Sequence, residues 1–477
     1  MPVDLDEMFA DLSRDGDTVP VAPAVAARRR GARRTRNRAV AAALATLLAI
    51  AGVGVAAWQR GHRAEPILPA TPNSPIRGLE PLGEPLDLGG DRYWSYPAVS
   101  EGRVYAVSMP MAAGGDARRN RGVAVAGRTG DILWSTLEDL GDTDIPVPIP
   151  GTVLLREAAP QPIMHLLDPA TGAERWSLVH ELDDDLVFHT DVLVRVHAAD
   201  GLTEGFDIRT GERLWSAPGG ADRPRFNAGI PGGNDVRRWG LSNNEPFSDG
   251  YMFQQLTSGR MLIRDVRTGA VRNRIATVLN SQSGLTTVHD GTVFWPVGDE
   301  IRAAALGDDS TARVIFTFGP GKGPRGLFGC GAGRVCVGEA ADDDEKDSRV
   351  VAVDVDAART LWTAPASFMS RGTARAGRIL TGSGRGAALR DDAGRVLYEG
   401  PGDIGWIDDG NMLQFQMRPD GKRTTVAVVS AVDGARTVLG EFPSGSSAMG
   451  PAGHCAWSAE TLACVDGSRL VRYRFTR

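Results

Sequence analysis

Near the start of the chain, in VDLDEMFADL, apolar residues recur with a helical period: Leu5, Met8, Phe9 and Leu12 stand at i, i+3, i+4 and i+7. Asp4 with Glu7 three residues on resembles a capping box. A helix of about 10 residues is marginal alone in water. Segment 4–13 therefore either docks its apolar face on a cytoplasmic partner or is a tail without fixed structure. The next pattern is an uncharged apolar run of 20 residues, Ala39 to Trp58. At roughly 1.5 Å per residue it spans the roughly 30 Å of a bilayer's hydrocarbon core, which predicts one transmembrane helix. Residues 59–90 are rich in proline and lack periodicity, so they are expected to be a linker; its end, around Leu79 to Leu88, is expected to pair as a strand with the C-terminus.

From residue 91 onward the pattern changes to short apolar stretches punctuated by turns, repeating at intervals near forty residues. The clearest copies are LLDPATGAERW at 166–176 and FDIRTGERLW at 206–215, which share Asp-x-x-Thr-Gly followed by a triplet and Trp. Their residues are Asp168, Thr171, Gly172 and Trp176, then Asp207, Thr210, Gly211 and Trp215. VAGRTGDILW at 125–134 supplies Thr129, Gly130 and Trp134, and IRDVRTGAVR at 263–272 supplies Asp265, Thr268 and Gly269. VDVDAARTLW at 353–362 keeps the spacing from Asp354 to Trp362 without the Thr-Gly; LRDDAGRVLY at 389–398 and SAVDGARTVL at 430–439 are degenerate. The Asp side chain can bond backbone amides two residues on. Gly supplies the positive φ of a tight hairpin, and Trp then lies on the outgoing strand, its face toward the neighbouring unit. Upstream of each turn a second hairpin begins with Gly-x-Val, as at Gly102, Gly151, Gly291 and Gly333.

Two hairpins per repeat make one four-stranded blade, which cannot bury both its faces alone, so blades must close into a ring. The expectation is an all-β fold: a single β-propeller over 91–477 with about eight four-stranded blades, and seven to nine compatible with the turns. A ninth would require the C-terminal hairpin to be a blade of its own. Residues 217–250, rich in Gly, Pro and Asn, are expected to be an insertion in the fourth unit.

Charge orients the chain. Residues 1–38 hold eight arginines and six acidic residues, and Arg28, Arg29, Arg30, Arg33, Arg34, Arg36 and Arg38 stand directly before the apolar run. By the positive-inside rule the N-terminal tail 1–38 is cytoplasmic and the residues after 58 lie outside, in a single-pass protein of the cell membrane. A cleaved signal peptide ending near Val55-Ala56-Ala57 is the alternative, and it exports the same domain. The remainder of the chain carries 45 basic and 53 acidic residues, too acidic a balance for a nucleic-acid partner.

All four cysteines, Cys330, Cys336, Cys455 and Cys464, fall in the exported domain, and an even count there favours disulfides. Pairing within each predicted hairpin, 330 with 336 and 455 with 464, is one of three connectivities. The seven histidines are scattered; His189 and His197 are the pair that a hairpin could bring together. Two acidic runs, Asp183 to Asp185 and Asp342 to Asp347, read as solvated loops rather than a calcium site. No nucleophile elbow, phosphate-binding loop or dinucleotide fingerprint occurs, so catalytic, cofactor-binding and metal residues are each expected to be none.

The repeated Asp-x-x-Thr-Gly-x-x-x-Trp element over roughly 91–477 resembles the tryptophan-docking repeat of the pyrroloquinoline-quinone-like (PQQ-like) propeller superfamily, to which quinoprotein alcohol dehydrogenases and BamB-type outer-membrane-assembly propellers belong. The enzymes of that superfamily carry two vicinal cysteines and a calcium site over the cofactor, and neither is present here. The BamB-type resemblance implies binding of partner proteins by loops or by strand addition. The expected function is therefore a non-enzymatic, membrane-anchored extracytoplasmic scaffold that binds a protein or ligand of the cell envelope. An envelope sensor signalling through the N-terminal segment is the second reading, and a quinoprotein dehydrogenase the third.

Overall fold

In this computed structural model the described residues are 74–87, 92–94, 97–110, 121–127, 129–135, 146–149, 151–157, 162–230, 250–276, 285–307, 312–341, 344–366, 372–383, 386–443, 455–466 and 468–477. The expected tail 1–38, membrane span 39–58 and first part of the linker lie outside them, as does the segment 4–13. Among the described residues no helix is long and apolar enough to cross a membrane.

The unit from Ala70 to Arg477 is built of antiparallel four-stranded sheets whose strands follow chain order, the pattern expected of propeller blades. Blade 2 is Val147–Ile149, Thr152–Glu157, Ile163–Leu167 and Glu174–Val179; blade 3 is Asp185–Phe188, Val192–Val196, Thr203–Asp207 and Arg213–Ala217. Blade 1 starts with Arg92–Trp94 and Ala98–Ser100, both paired to Arg103–Pro110, and ends with Ile132–Ser135. Blades 4 to 8 begin at Pro224, Thr287, Lys322, Thr373 and Asp403.

Nine sheets form, not the eight expected. The C-terminal strands Cys455–Trp457, Thr461–Asp466 and Arg469–Thr476 are a blade in their own right, completed by Gly78–Pro81, which runs antiparallel to the last strand with Gly78 opposite Thr476. Leu86–Asp87 adds to the same strand. The end of the proline-rich stretch therefore pairs with the C-terminus as its sequence suggested, and the ring closes where Cys455–Trp457 packs on Ala98–Ser100 of blade 1. The insertion expected over 217–250 is shorter than read: Pro224–Gly229 is the first strand of blade 4, and only 231–249 lie outside the described residues.

The apolar clusters lie between blades, which is why one blade alone could not fold. Leu154, Met164, Leu166 and Leu178 of blade 2 pack with Phe188, Leu193 and Phe206 of blade 3. Between blades 8 and 9, Leu413, Phe415, Val426 and Val428 meet Trp457, Leu462 and Phe475.

Candidate functional site

Each Asp-x-x-Thr-Gly turn joins the third and fourth strands of a blade. Asp168 Oδ1 accepts from the amides of Ala170 (2.9 Å) and Thr171 (3.0 Å) and from the Thr171 hydroxyl (3.2 Å). Asp207 repeats this with Arg209 (2.9 Å), Thr210 (2.8 Å) and the Thr210 hydroxyl (3.1 Å). Asp265 holds the amides of Arg267 and Thr268, both at 3.0 Å, and Asp354 that of Ala357 at 3.0 Å. The ion-paired hydrogen bond from Arg175 (2.7 Å) and the turn amides hold the Asp168 carboxyl down to about 2. Thr129 of blade 1 has no Asp upstream; its hydroxyl accepts from the Asp131 amide at 3.3 Å.

The glycine closing the turn sits at φ +70° in Gly172 and +74° in Gly211, where side chains are strained. It has a second role. A Cβ on Gly172 would stand 2.5 Å from the Trp134 ring, one on Gly211 2.6 Å from Trp176, and one on Gly269 2.5 Å from Trp215. Each tryptophan therefore lies flat on the turn glycine of the following blade. Each indole also donates to a carbonyl of that turn: Trp134 to Pro169 (3.1 Å), Trp176 to Ile208 (3.1 Å), Trp215 to Val266 (2.7 Å) and Trp362 to Asp392 (3.0 Å). The motif is thus a latch between blades: the turn of one receives the ring of the one before. A register shift between the third and fourth strands recurs in eight blades, with or without a docked ring, as between Gly205 and Phe206. The sequence carries no local sign of it.

Where the motif decays, other groups fill the seam. Gly130 of blade 1 is covered by the Arg472 guanidinium of blade 9, 2.6 Å from where a Cβ would stand. Asn273 occupies the Trp position of blade 4 and spans to blade 5, donating to the Ala305 carbonyl (3.2 Å) and accepting from the Gly307 amide (3.1 Å).

Blades 3 and 4 are joined by buried polar groups. Gln254 donates to Thr203 (3.0 Å) and Asn227 (3.1 Å), and Asn227 donates to Asp185 (2.8 Å). Beside them Glu204 accepts from Arg195 (2.5 Å), His197 (3.1 Å) and Arg213 (3.0 Å). Burial acts to raise its pKa, but these three donors outweigh that and hold it at about 2.

The disulfides form within hairpins, Cys330 to Cys336 and Cys455 to Cys464. Asp184 and Asp185 are used locally: Asp184 accepts from the amides of Glu181 and Ala198, both at 3.1 Å, and Asp185 holds Asn227. Asp342 and Asp343 lie outside the described residues. Among the described residues no three His, Cys, Asp or Glu gather as a metal site. His189 and His197 are not brought together: in their hairpin His189 follows the Phe188–Leu193 pair, and His197 lies past the Asp185–Val196 pair at the other end.

The feature that faces outward is the row of fourth strands. Each is a sheet edge, and it carries exposed apolar side chains: Ile132 (55%) and Leu133 (42%) in blade 1, Leu214 in blade 3, Leu361 in blade 6, Val396 in blade 7 and Val438 in blade 8. In blades 1, 3 and 6 the exposed residue directly precedes the docked tryptophan, so the latch that buries the ring turns its neighbour outward.

A family model described as outer membrane protein assembly factor BamB matches residues 119–295, from blade 1 into blade 5. No curated protein matches the chain. Among solved structures, BamB from Moraxella catarrhalis is 15% identical, with 83% of this chain and 100% of that one covered and a TM-score of 0.38. The computationally designed Ika8 protein is 14% identical over 84% of this chain and 100% of its own, with a TM-score of 0.43. Sqt1 of Saccharomyces cerevisiae is 10% identical over 78% and 100%, with a TM-score of 0.40.

Proposed function

We propose that this chain is a membrane-anchored, non-enzymatic scaffold whose propeller, held outside the cell membrane, binds a partner protein along its outer strands. The observation that carries the reading is the set of fourth strands with apolar side chains turned to solvent, above all Ile132 and Leu133 at 55% and 42% exposure. An edge strand offers unpaired N–H and C=O groups to an added strand, and its outward apolar residues supply side-chain pockets. The family match over 119–295 supports the same role, because its described member is an assembly factor. Anchoring rests on the apolar run 39–58 and on the seven arginines before it.

The test is site-specific photo-crosslinking in intact cells of the source organism. A photoreactive residue at Leu133 or Leu214 is expected to capture a discrete protein adduct, whereas one at the exposed Leu182 of a loop is not. Equal adducts from all three positions, or none from the first two, would remove the edge-strand reading. Protease added outside intact cells is expected to cut at 59–73 and release the propeller; full protection would refute the orientation.

A further inference from the structure

The outer rim of the ring is not uniform in charge. The fourth strands of blades 3 to 6 are Arg213–Ala217, Val271–Ile275, Arg313–Thr317 and Arg359–Pro365. They carry five arginines, Arg213, Arg272, Arg274, Arg313 and Arg359, and no acidic residue. The outer strands of the other five blades are Ile132–Ser135, Glu174–Val179, Val396–Gly400, Arg436–Pro443 and Gly78–Pro81. These carry two arginines and four glutamates. In a domain with more acidic than basic residues, positive charge is thus gathered on the edges of four consecutive blades.

All five side chains are exposed, Arg213 and Arg359 by more than half (62% and 69%). The carboxylates they meet stand on third strands and turns and have other work. Glu204 is shared by Arg213 with Arg195 and His197, and Asp265, which pairs with Arg272, also holds the amides of Arg267 and Thr268. Arg313 meets Asp356 at 3.8 Å and Arg359 meets Asp354 at 3.7 Å, beyond ordinary hydrogen-bond length. A guanidinium has five donors arranged in a fork, so one such pair leaves donors for a second carboxylate. Beside the arginines stand exposed aliphatic residues of the same strands, Leu214, Val314 and Leu361. Each strand is also a sheet edge, with backbone N–H and C=O groups turned outward.

We propose that the edges of blades 3 to 6 receive an acidic extended strand of a partner protein, its carboxylates on the arginines and its aliphatic residues against Leu214, Val314 or Leu361. Each of the four edges is then an acceptor, and one partner strand needs only one of them. Two features favour a strand over an anionic membrane surface. Lipid headgroups have no register with which to match the edge N–H and C=O groups. The rim is also convex, so a flat bilayer meets one or two blades, while the arginines are spread over four. The proposal rests on the outer strands being open to a partner, as the proposed function does; it adds where on the rim a partner lies and what charge it carries.

The probe is a short peptide of alternating glutamate and leucine, with one of alternating lysine and leucine in parallel, titrated into the full-length protein in phosphatidylcholine nanodiscs. The acidic peptide is expected to bind saturably, and more weakly as salt is raised, and the basic one not at all. Combining Arg272→Gln, Arg274→Gln, Arg313→Gln and Arg359→Gln is expected to weaken binding at least about tenfold; exposed ion pairs contribute little to stability, so the fold should stand. Arg272→Gln with Arg274→Gln alone, expected to weaken it less, serves should the fourfold variant misfold. Arg418→Gln with Arg423→Gln, in blade 8 and outside the arc, is expected to change binding less than about twofold. No saturable binding, no loss in the folded arc variants, or an equal loss in the blade 8 variant would overturn the proposal. Hydrogen exchange in peptide-free vesicles tests the lipid alternative: protection of these four strands by phosphatidylglycerol but not by phosphatidylcholine would assign the arc to the membrane and also overturn it. Photo-crosslinking from Leu133 in cells, with no peptide binding, would remove the basic arc and leave the outer-strand reading standing.

Discussion

Replacing Trp176 by Ala tests the latch directly. The side chain is half-buried between blades 2 and 3, its ring 6.2 Å from Phe206 and its Nε1–H bonded to the Ile208 carbonyl at 3.1 Å. A tryptophan buries about 150–250 Å² when packed. Taking roughly two-thirds of that for a half-buried ring at about 25 cal/mol/Å² gives about 2.5–4 kcal/mol. The hydrogen bond adds about 1 kcal/mol. Little of the void can relax, because Gly211 beneath the ring has no side chain to move into it. The expected loss is about 3–5 kcal/mol, in the range for truncating a buried tryptophan. Trp176→Phe keeps most of the area and loses the N–H, so about 1–2 kcal/mol is expected. Leu182→Ala, at a side chain 74% exposed, is the control. The assay is urea unfolding of the full-length protein followed by circular dichroism, with hydrogen exchange to ask whether protection falls first on either side of the altered seam. A loss below about 1 kcal/mol for Trp176→Ala, or one no larger than for Trp176→Phe, would refute the latch as the source of seam stability.

Acid should destabilise the ring in a definite window. Asp168 and Glu204 are both held at about 2 in the folded protein, below the unfolded values near 4, so the stability they contribute is complete above pH about 4 and is lost as pH falls toward 2. Glu204 should carry the larger share because it is buried while the Asp168 turn is exposed, and Glu204→Gln is expected to flatten the melting temperature between pH 4 and 2 more than Asp168→Asn does; the reverse order would be inconsistent with the burial. Reduction of the disulfides, which close loops spanning 6 and 9 residues, should cost about 2–3 kcal/mol each. Loss of the 455–464 bridge should expose blade 9 to protease before blade 6. Leu79→Pro, which breaks the strand Gly78–Pro81, is expected to lower hydrogen-exchange protection in blades 9 and 1 together, and unchanged protection in blade 1 would argue against closure through that strand.

The sequence was informative where one residue type does one job at a fixed distance. Asp168, Thr171, Gly172 and Trp176 could be read as a unit because the turn needs an acceptor at its start, a positive φ at its end, and a ring four residues on. What escaped was anything whose partner lies far along the chain. The ninth blade could not be counted with certainty because its outer strand comes from Gly78–Pro81, nearly four hundred residues from its neighbour. Pro224–Gly229 reads as part of an insertion because Pro, Gly and Asn there mask a strand whose Asn227 is satisfied across the seam by Asp185 and within its own sheet by Gln254. Asn273 in the Trp position is not apparent from the copy at 263–272, which stops one residue short of it. The tryptophans were legible as packing residues, but that each roofs the glycine of the next turn emerges only from the juxtaposition.

That the latch can vary from seam to seam follows from closure. In an open array of repeats each unit gains stability only from its neighbours, and a seam lacking its ring would be the place where the array parts. In a ring, separating two neighbouring blades does nothing to free either one unless a second seam also opens. The strand Gly78–Pro81 makes the ring continuous, with Glu80 paired to Arg474 and the Arg472 guanidinium seated on Gly130 of blade 1. Between blades 4 and 5, where Asn273 stands in place of the tryptophan, its two hydrogen bonds and the apolar cluster of Phe253, Ile263, Val293 and Trp295 hold the seam without an indole.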